Sequence, residues 1–293
     1  MSSSSVPSVA TPAGFDFGAN WARFLNTVDD TRIESAVNSL KAFLRVDDLR
    51  GQRFLDAGCG SGLFSLAARR LGAEVTSFDF NPRSVRCTEE LRRRFAQGDS
   101  LWSVTTGSLL DPGFMDQLGQ YDVVYSWGVV HHTGRMWDAV DHLCRRVADD
   151  GRFWLAIYND QGTTSRNWTR IKAGYNRVPE VLKTPYVIAT GGVWTAWNVF
   201  TRIAAGLAAT AARVLTARSP REPLSCLWND LFVTPRARGM HAWYDLVDWI
   251  GGYPFEVAKP ETVFHYLHDR GFVLENLVTC GGGLGCNEFL FKR

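Results

Sequence analysis

The segment between residues 54 and 80 constrains the fold more than any other part of the chain. It reads FLDAGCGSGLFSLAARRLGAEVTSFDF, and Gly58, Gly60 and Gly62 alternate directly after an apolar run. A helical pattern closed by Gly72 follows, and a second apolar run then ends at Asp79. The segment predicts a strand, a glycine turn, a helix and a second strand. A turn without side chains lets the main chain approach a ligand closely.

The same alternation of strand and helix continues to residue 160. The segments LWSVTTGSLL, YDVVYSWGVV and RFWLAIYND are predicted as the third, fourth and fifth strands, and the fourth is almost wholly apolar, as a buried parallel strand is. Residues 260–293 predict a helix, a strand, a glycine-rich turn and a last strand. Strands that alternate with helices predict an α/β fold with a doubly wound, mostly parallel sheet.

About a hundred residues interrupt this pattern. We predict a disordered tail at residues 1–14, a core at 15–160, a helical cap inserted after the fifth strand at 161–259, and a return to the core at 260–293. The apolar part of the insertion contains Gly191-Gly192 and arginines, which makes it a poor transmembrane helix. We interpret it as one or two helices of a cap over the active site. A membrane-surface element is the alternative.

Composition excludes several classes of protein. A net charge of +2 produces no strong field toward nucleic acid or anionic lipid. The six cysteines form no CxxC pair and have no zinc-like spacing with histidines, so we predict a reducing, cytoplasmic location and no metal. The N-terminus lacks the basic start and apolar core of a signal peptide.

The glycine turn fits some cofactors better than others. The dinucleotide fingerprint GxGxxG needs a glycine where Leu63 stands, and no GK[ST] phosphate loop is present. Asp79 ends the second strand, where a carboxylate can accept both hydroxyls of a ribose.

With these features the chain resembles the S-adenosylmethionine-dependent methyltransferases that have a Rossmann-like fold. DAGCGSG resembles their first motif, Asp79 their ribose-binding acidic residue, TTGSLLD the segment that borders the adenine, and YDVVYSWGVVHHTG their fourth motif. Many relatives have an aspartate where Ser108 stands. More narrowly, YSWGVVHHTG, AIYNDQG, GGYPFE and CGGGLGCNEF resemble segments of a ubiquinone-type O-methyltransferase-like group without an assigned substrate.

The resemblance implies a seven-stranded sheet with a C-terminal antiparallel hairpin, and S-adenosylmethionine as the cofactor. It implies that the glycine loop passes under the methionine part of the cofactor and that Asp56 organises the loop and the amino group. The cofactor-binding residues that it implies are Asp56, Gly58, Cys59, Gly60, Gly62, Asp79, Phe80, Ser108, Leu109, Ser126 and Trp127.

Candidate catalytic residues follow the fourth and fifth strands. His131 and His132 come after the fourth strand, and histidine titrates near neutrality, which suits a base. Tyr158 and Asp160 come at the end of the fifth strand and can orient an acceptor. Each of two residues also has a non-catalytic alternative: His132 can have a purely structural role, and Asp160 can cap the next helix.

Candidate acceptor-binding residues are polar and aromatic. We predict that they line a pocket for a ring or a sugar; the alternative is that the tryptophans belong to the core and the acids to the solvated surface. The predicted acceptor-binding residues are Trp21, His241, Trp243, Asp245, Tyr253 and Glu256.

The sequence favours an enzyme that methylates a hydroxyl of a small molecule, with hydrophobic natural-product-type metabolites as one candidate class. The alternatives are N- or C-methylation, methylation of tRNA or protein, and a cofactor-binding scaffold without catalysis. Near-neutral charge argues against RNA, and the intact glycine motif argues against a scaffold.

Overall fold

Seven strands of the chain form one sheet. The computed structural model describes residues 17–216, 242–281 and 283–293; the predicted tail at residues 1–14 lies outside them. The strands are β1 (Arg53–Ala57), β2 (Glu74–Asp79), β3 (Trp102–Thr106), β4 (Tyr121–Trp127), β5 (Val147–Tyr158), β6 (Val273–Val278) and β7 (Cys286–Lys292).

The strand order is β3-β2-β1-β4-β5-β7-β6. The strands β1 to β5 are parallel to one another. The last strand, β7, lies between β5 and β6 and is antiparallel to both. This confirms the predicted Rossmann-like sheet with its C-terminal hairpin. The order reverses between β1 and β4, and ligands of such sheets bind beyond the carboxyl ends of the strands at that point.

The described residues also form α-helices. They are α1 (Phe17–Phe24), α2 (Asp30–Leu44), α3 (Leu63–Arg70), α4 (Pro82–Phe95), α5 (Pro112–Gln117), α6 (Met136–Cys144), α7 (Thr163–Arg177), α8 (Glu180–Thr216), α9 (Ala242–Gly251) and α10 (Pro260–His268). Short 3₁₀ turns cover Leu25–Thr27 and Val130–His132. Side chains at Asp29, Asn81 and Asp111 accept main-chain N–H groups at the starts of α2, α4 and α5, which explains where these helices begin.

Neighbouring residues of one strand enter opposite cores. Leu55 and Val124 belong to one buried cluster, whereas Phe54 and Val123 belong to the other. Strand side chains alternate between the two faces of a sheet, so the apolar runs of the sequence supply both cores at once.

The structure corrects two predicted strand boundaries. β3 ends at Thr106 rather than at Leu110, because residues 107–110 turn: the N–H of Asp111 donates to the carbonyl oxygen of Ser108 at 3.1 Å. β5 begins earlier than residue 152, because Val147 pairs with Tyr121 of β4.

The described residues form two compact units. One unit ends at Asn176 and resumes at Gly251, and the other is Arg177–Ile250, which lies within the predicted insertion of residues 161–259. The apolar part of the insertion forms one continuous helix, α8, which Gly191-Gly192 does not interrupt. Gly191 lies against Leu246 of α9, where a Cβ would come within 2.7 Å of Leu246 Cδ2. None of the helices described has both the length and the apolar character needed to cross a membrane.

The buried strand residues should contribute most to stability. We expect Leu55→Ala to lower the free energy of unfolding by about 2–5 kcal/mol, because Leu55 is fully buried in β1 between two strands. Leu101→Ala is the control: Leu101 is 50% exposed, so its substitution should change stability by less than about 0.5 kcal/mol. Urea denaturation measures both, and equal effects would contradict this account of the core.

Candidate active site

The glycine loop is bonded to the end of β2. The N–H groups of Gly58 and Cys59 both donate to the carbonyl oxygen of Phe78, at 2.8 and 3.0 Å. The N–H of Gly60 donates to Asp79 Oδ2 at 3.1 Å. The loop that follows β1 is therefore fixed to the carboxyl end of β2. Sheets of this kind bind ligands in a crevice beyond the carboxyl ends of the strands, at the point where the strand order reverses.

The loop needs glycine both for its backbone angles and for space. Gly58 and Gly60 have φ of +87° and +54°, in the left-handed region. A Cβ at Gly58 would come within 2.4 Å of Val129 Cγ1, and one at Gly60 within 2.9 Å of the Trp21 ring. Trp21, a predicted acceptor-binding residue, thus lies against the loop.

Asp79 is buried beside an exposed aromatic ring. Its Oδ1 accepts the N–H of Asn81 at 2.8 Å, and burial raises its pKa to about 6 although these N–H groups favour the charged form. Phe80, the next residue, is 55% exposed. A carboxylate at the strand end next to an open apolar ring fits a nucleoside, whose ribose needs an acceptor and whose base needs a flat surface.

Asp56 lies inside the protein beneath the loop. Its carboxylate accepts the Ser65 hydroxyl at 2.5 Å; Ser65 Oγ lies 2.7 Å from Ser77 Oγ, which accepts Trp102 Nε1–H at 2.9 Å. Burial, together with the nearby charge of Asp79, raises the pKa of Asp56 to about 7. This network fits the organising role implied for Asp56; contact with the cofactor's amino group stays a prediction.

Two of the other implied cofactor residues direct their side chains inward. The Cys59 sulfur accepts the Thr88 hydroxyl at 3.2 Å, and burial raises the pKa of the Cys59 thiol well above its usual range. Ser126 is fully buried, and its hydroxyl donates to the carbonyl oxygen of Ala57 at 3.2 Å. These side chains hold β1 and the loop in place, which leaves the main chain to contact a ligand.

The residues after β3 form a turn. Ser108 Oγ accepts the N–H of Leu110 at 3.2 Å, and Leu109 is buried in the core. Trp127, at the end of β4, is half-buried. The cofactor contacts implied for Ser108, Leu109 and Trp127 stay predictions.

His131 is sealed inside the protein. It is fully buried, and its Nδ1 accepts the N–H of Tyr158 at 3.3 Å. Its Nε2 is also buried, with no hydrogen-bond partner among the described residues. Burial lowers the pKa of His131 well below its usual value, and the nearby charge of Lys172 acts in the same direction. His131 is therefore a neutral ring that solvent does not reach.

His132 has the opposite hydrogen-bond arrangement. Its Nδ1 donates to the carbonyl oxygen of Pro254 at 2.7 Å, which leaves a lone pair on Nε2. The residue is half-buried, and its ring lies 4.9 Å from Phe17. Burial lowers the pKa of His132 to about 3 and the charge of Lys172 adds to this effect, so the imidazole is neutral at pH 7. The two neighbouring histidines therefore differ in which nitrogen is an acceptor.

Lys172 is a charged group that the sequence analysis missed. It is fully buried on α7, and its Nζ lies 4.7 Å from the centre of the Phe255 ring. A signal was present: the buried residues of α7 are Ser165, Trp168, Lys172 and Tyr175, so the lysine stands on the buried stripe of an amphipathic helix.

The end of β5 approaches the histidines. The Tyr158 ring lies 4.0 Å from His131 and 5.1 Å from Phe255. Asp160 Oδ1 accepts the N–H of Gly162 at 2.7 Å, just before α7 begins at Thr163. This contact supports the alternative in which Asp160 organises the start of a helix, and its catalytic role stays a prediction.

Of the other predicted acceptor-binding residues, the structure describes the side chains of Glu256 and Tyr253. The Glu256 carboxylate accepts the N–H of Met136 at 3.1 Å, and thereby caps α6. Tyr253 is half-buried in the same segment. His241, and the side chains of Trp243 and Asp245, lie outside what the structure describes. Within residues 17–216, 242–281 and 283–293, no three His, Cys, Asp or Glu residues form a candidate metal site.

A matched pair of glycine substitutions tests the loop. Gly58→Ala should lower the free energy of unfolding by about 2–4 kcal/mol, because strain at positive φ adds to the clash with Val129. Gly51→Ala should cost only about 1 kcal/mol, because Gly51 has φ of +73° but no atom within 4 Å of the added Cβ. Thermal or urea unfolding separates the two, and equal losses would show that the contact with Val129 is unimportant.

A protein-family model and several curated proteins resemble this chain. A family model described as a methyltransferase domain matches residues 30–182, more than half of the chain. The chain is 33% identical over 118 residues to the magnesium-protoporphyrin O-methyltransferase of Rhodobacter capsulatus, covering 36% of this chain and 47% of that protein. It is 39% identical over 150 residues to the ribosomal protein L11 methyltransferase of Methylococcus capsulatus, covering 51% and 48%.

The chain thus spans about half the length of these curated relatives. A ubiquinone biosynthesis O-methyltransferase of Xanthomonas oryzae pv. oryzae also matches, with 29% identity over 112 residues, 38% of this chain and 45% of that protein.

The fold also recurs in a solved structure. The crystal structure of magnesium protoporphyrin IX methyltransferase from Synechocystis PCC 6803 with bound SAH has a TM-score of 0.52 to this chain, at 18% identity and 95% coverage of each chain. This likeness shows a shared fold. The family match shows that the chain belongs to the methyltransferase-domain family, as the glycine loop and Asp79 predict.

Proposed function

We propose that this chain transfers the methyl group of S-adenosylmethionine to a hydroxyl group of a small-molecule acceptor, with a hydrophobic metabolite as the favoured class. The observation that carries the proposal is the hydrogen bond that His132 Nδ1 donates to the carbonyl oxygen of Pro254, which leaves the lone pair on Nε2, in the turn that follows β4. The likeness to O-methyltransferases supports the choice of oxygen as the methylated atom.

The first task of the protein is to hold the cofactor. S-adenosylmethionine supplies its methyl group from a sulfonium that is already a good electrophile. In this proposal, Asp79 accepts the ribose hydroxyls, Phe80 contacts the adenine, and the loop at Gly58 and Gly60 lets the methionine part approach the main chain; the hydrogen bond from the loop to Asp79, the exposure of Phe80 and the positive φ angles support it. Alignment of this kind can lower the barrier by about 7–11 kcal/mol, more than any single base supplies.

The second task is to remove a proton from the acceptor. In this proposal, Nε2 of His132 accepts the hydroxyl proton as the new C–O bond forms and the S–C bond breaks. The carbonyl oxygen of Pro254 holds the ring through Nδ1, so the lone pair is on Nε2. Burial lowers the pKa of His132, which keeps Nε2 unprotonated at pH 7 but also makes it a weaker base. His131 is a poorer candidate, because its Nε2 is buried and its Nδ1 already accepts a main-chain N–H.

Cofactor binding should depend on the charge of Asp79. Asp79→Asn should weaken S-adenosylmethionine binding by about 1.5–3 kcal/mol, because a neutral amide replaces charge-assisted acceptance of the ribose hydroxyls. Glu74→Ala is the control, since Glu74 is exposed at the opposite end of the same strand. Isothermal titration calorimetry measures both affinities, and an unchanged affinity in Asp79→Asn would refute the ribose assignment.

The same carboxylate should make binding dependent on pH. The pKa of Asp79 is raised to about 6 in the free protein, so the acid is neutral below that pH and cannot accept both hydroxyls. Affinity should therefore rise as the pH increases from about 5 to about 7, by at most about tenfold per pH unit. Asp79→Asn should remove this dependence, and a wild-type affinity that stays constant over this range would contradict it.

Methyl transfer tests the proposed base. Wild-type enzyme should transfer labelled methyl groups from S-adenosylmethionine to hydroxyl-bearing metabolites in a cell extract. His132→Asn should lower the rate by about 10²–10⁴-fold without weakening cofactor binding. Asparagine retains an N–H that can donate to the carbonyl oxygen of Pro254 but has no basic nitrogen. A variant that stays fully active would exclude His132 as the base, and label found only on nitrogen, carbon or protein would refute O-methylation of a small molecule.

A further inference from the structure

The first helix, α1, contacts the residues that follow three neighbouring strands. At the loop after β1, a Cβ on Gly60 would come within 2.9 Å of the Trp21 ring. Beyond β2, a Cβ on Gly18 would lie 2.5 Å from a side-chain atom at the start of α4. In the turn after β4, the His132 ring lies 4.9 Å from the ring of Phe17. Because ligands of such sheets bind beyond these strand ends, α1 borders the proposed cofactor crevice.

Trp21 brings a hydrogen-bond donor to the glycine loop. A Cβ on Gly60 would also lie 2.9 Å from Nε1 of Trp21. The indole is half-buried, and its ring makes an edge contact with the Phe24 ring at a centroid distance of 5.9 Å. Within the described parts of the chain, the Nε1–H of Trp21 donates to no acceptor. A ligand that lies on this loop can therefore accept a hydrogen bond from α1.

The chemistry of the surrounding groups decides which part of the ligand suits this donor. An indole N–H donates a hydrogen bond and cannot accept one. Two buried acidic residues, Asp56 and Asp79, already lie next to the loop and supply acceptors. The methionine part of S-adenosylmethionine carries an ammonium group, which donates, and a carboxylate, which only accepts. The carboxylate needs an N–H donor at this place, so it is the group that matches Trp21.

We propose that α1 forms one wall of the cofactor site and that Nε1–H of Trp21 donates a hydrogen bond to the methionine carboxylate of bound S-adenosylmethionine. This inference rests on the cofactor binding of the proposed function. It gives Trp21 a cofactor role in place of the acceptor-binding role predicted from the sequence. The bound cofactor then lies between the glycine loop and α1, and its entry and departure require α1 to move.

Calorimetry with two ligands tests the hydrogen bond in the full-length chain. S-adenosylmethionine and its decarboxylated form differ only in the carboxylate. Trp21→Phe keeps an aromatic ring but removes the N–H. It should lower the affinity for S-adenosylmethionine by about 10- to 100-fold, as expected for a lost hydrogen bond to a charged group. The same substitution should change the affinity for the decarboxylated form by less than about twofold, because that ligand has no carboxylate to accept the bond.

The matched control carries the same substitution on another helix. Trp137 of α6 packs against the core and against the Tyr266 ring of α10, at a centroid distance of 4.2 Å. Because this ring packs on α10 rather than on the glycine loop, Trp137→Phe should change the affinity for either ligand by less than about twofold. Circular dichroism confirms that both variants retain their helices.

Hydrogen exchange tests the position of α1 without any substitution. S-adenosylhomocysteine retains the carboxylate, and its binding should slow the exchange of main-chain N–H groups in Phe17–Phe24 by at least about tenfold. The reference segment is α10, which packs on β6 at the edge of the sheet. Exchange in α10 should stay within about twofold of its rate in the free protein.

Three results would overturn the proposal alone: an unchanged affinity of Trp21→Phe for S-adenosylmethionine, equal losses for the two ligands, and no added protection of α1. Absence of any cofactor binding by the wild-type chain would overturn both this proposal and the proposed function. Cofactor binding with the expected losses, but without methyl transfer to a hydroxyl, would support the role of Trp21 and refute the proposed reaction.

Discussion

The attachment of the glycine loop to the end of β2 is the constraint on which the proposed site depends. Phe78 accepts two N–H groups of the loop through its carbonyl oxygen, and Asp79 accepts a third through its carboxylate. These bonds fix the loop of β1 against the neighbouring strand. Because the strand order reverses beside β1, the fixed loop borders the crevice that parallel sheets of this kind offer to a ligand.

Burial gives the ionisable groups of this region their character. The pKa of Asp56 and of Asp79 is raised, and the pKa of His131 and of His132 is lowered, because loss of water disfavours the charged form in every case. Bound ligand can reverse this effect where it supplies hydrogen bonds or opposite charge. Loss of water therefore makes the protonation of Asp79 sensitive to a bound ribose, and it keeps Nε2 of His132 unprotonated.

The two units use their apolar residues differently. In the first unit, the apolar runs of the strands fill two cores, one on each side of the sheet. In α8, large apolar side chains stay exposed along one side while Gly191 and Trp194 pack within the second unit. Exposure of this kind is costly in water, and it is retained in proteins mainly where another surface covers it.

The sequence by itself determined the alternation of strands and helices, the glycine loop, the position of Asp79 and the family. These features are local: each follows from residue spacing within about thirty residues, or from backbone angles that only glycine adopts readily. The fold class followed from them, because strands that alternate with helices can form only a few arrangements.

Only the tertiary structure decided what surrounds each side chain. His131 and His132 are adjacent in sequence, yet Tyr158 donates to one and Pro254 accepts from the other, over separations of 27 and 122 residues. Glu256 similarly caps α6 from 120 residues away. Burial, tautomer and pKa are set by such distant contacts, and no local pattern in the sequence records which distant residue will supply them.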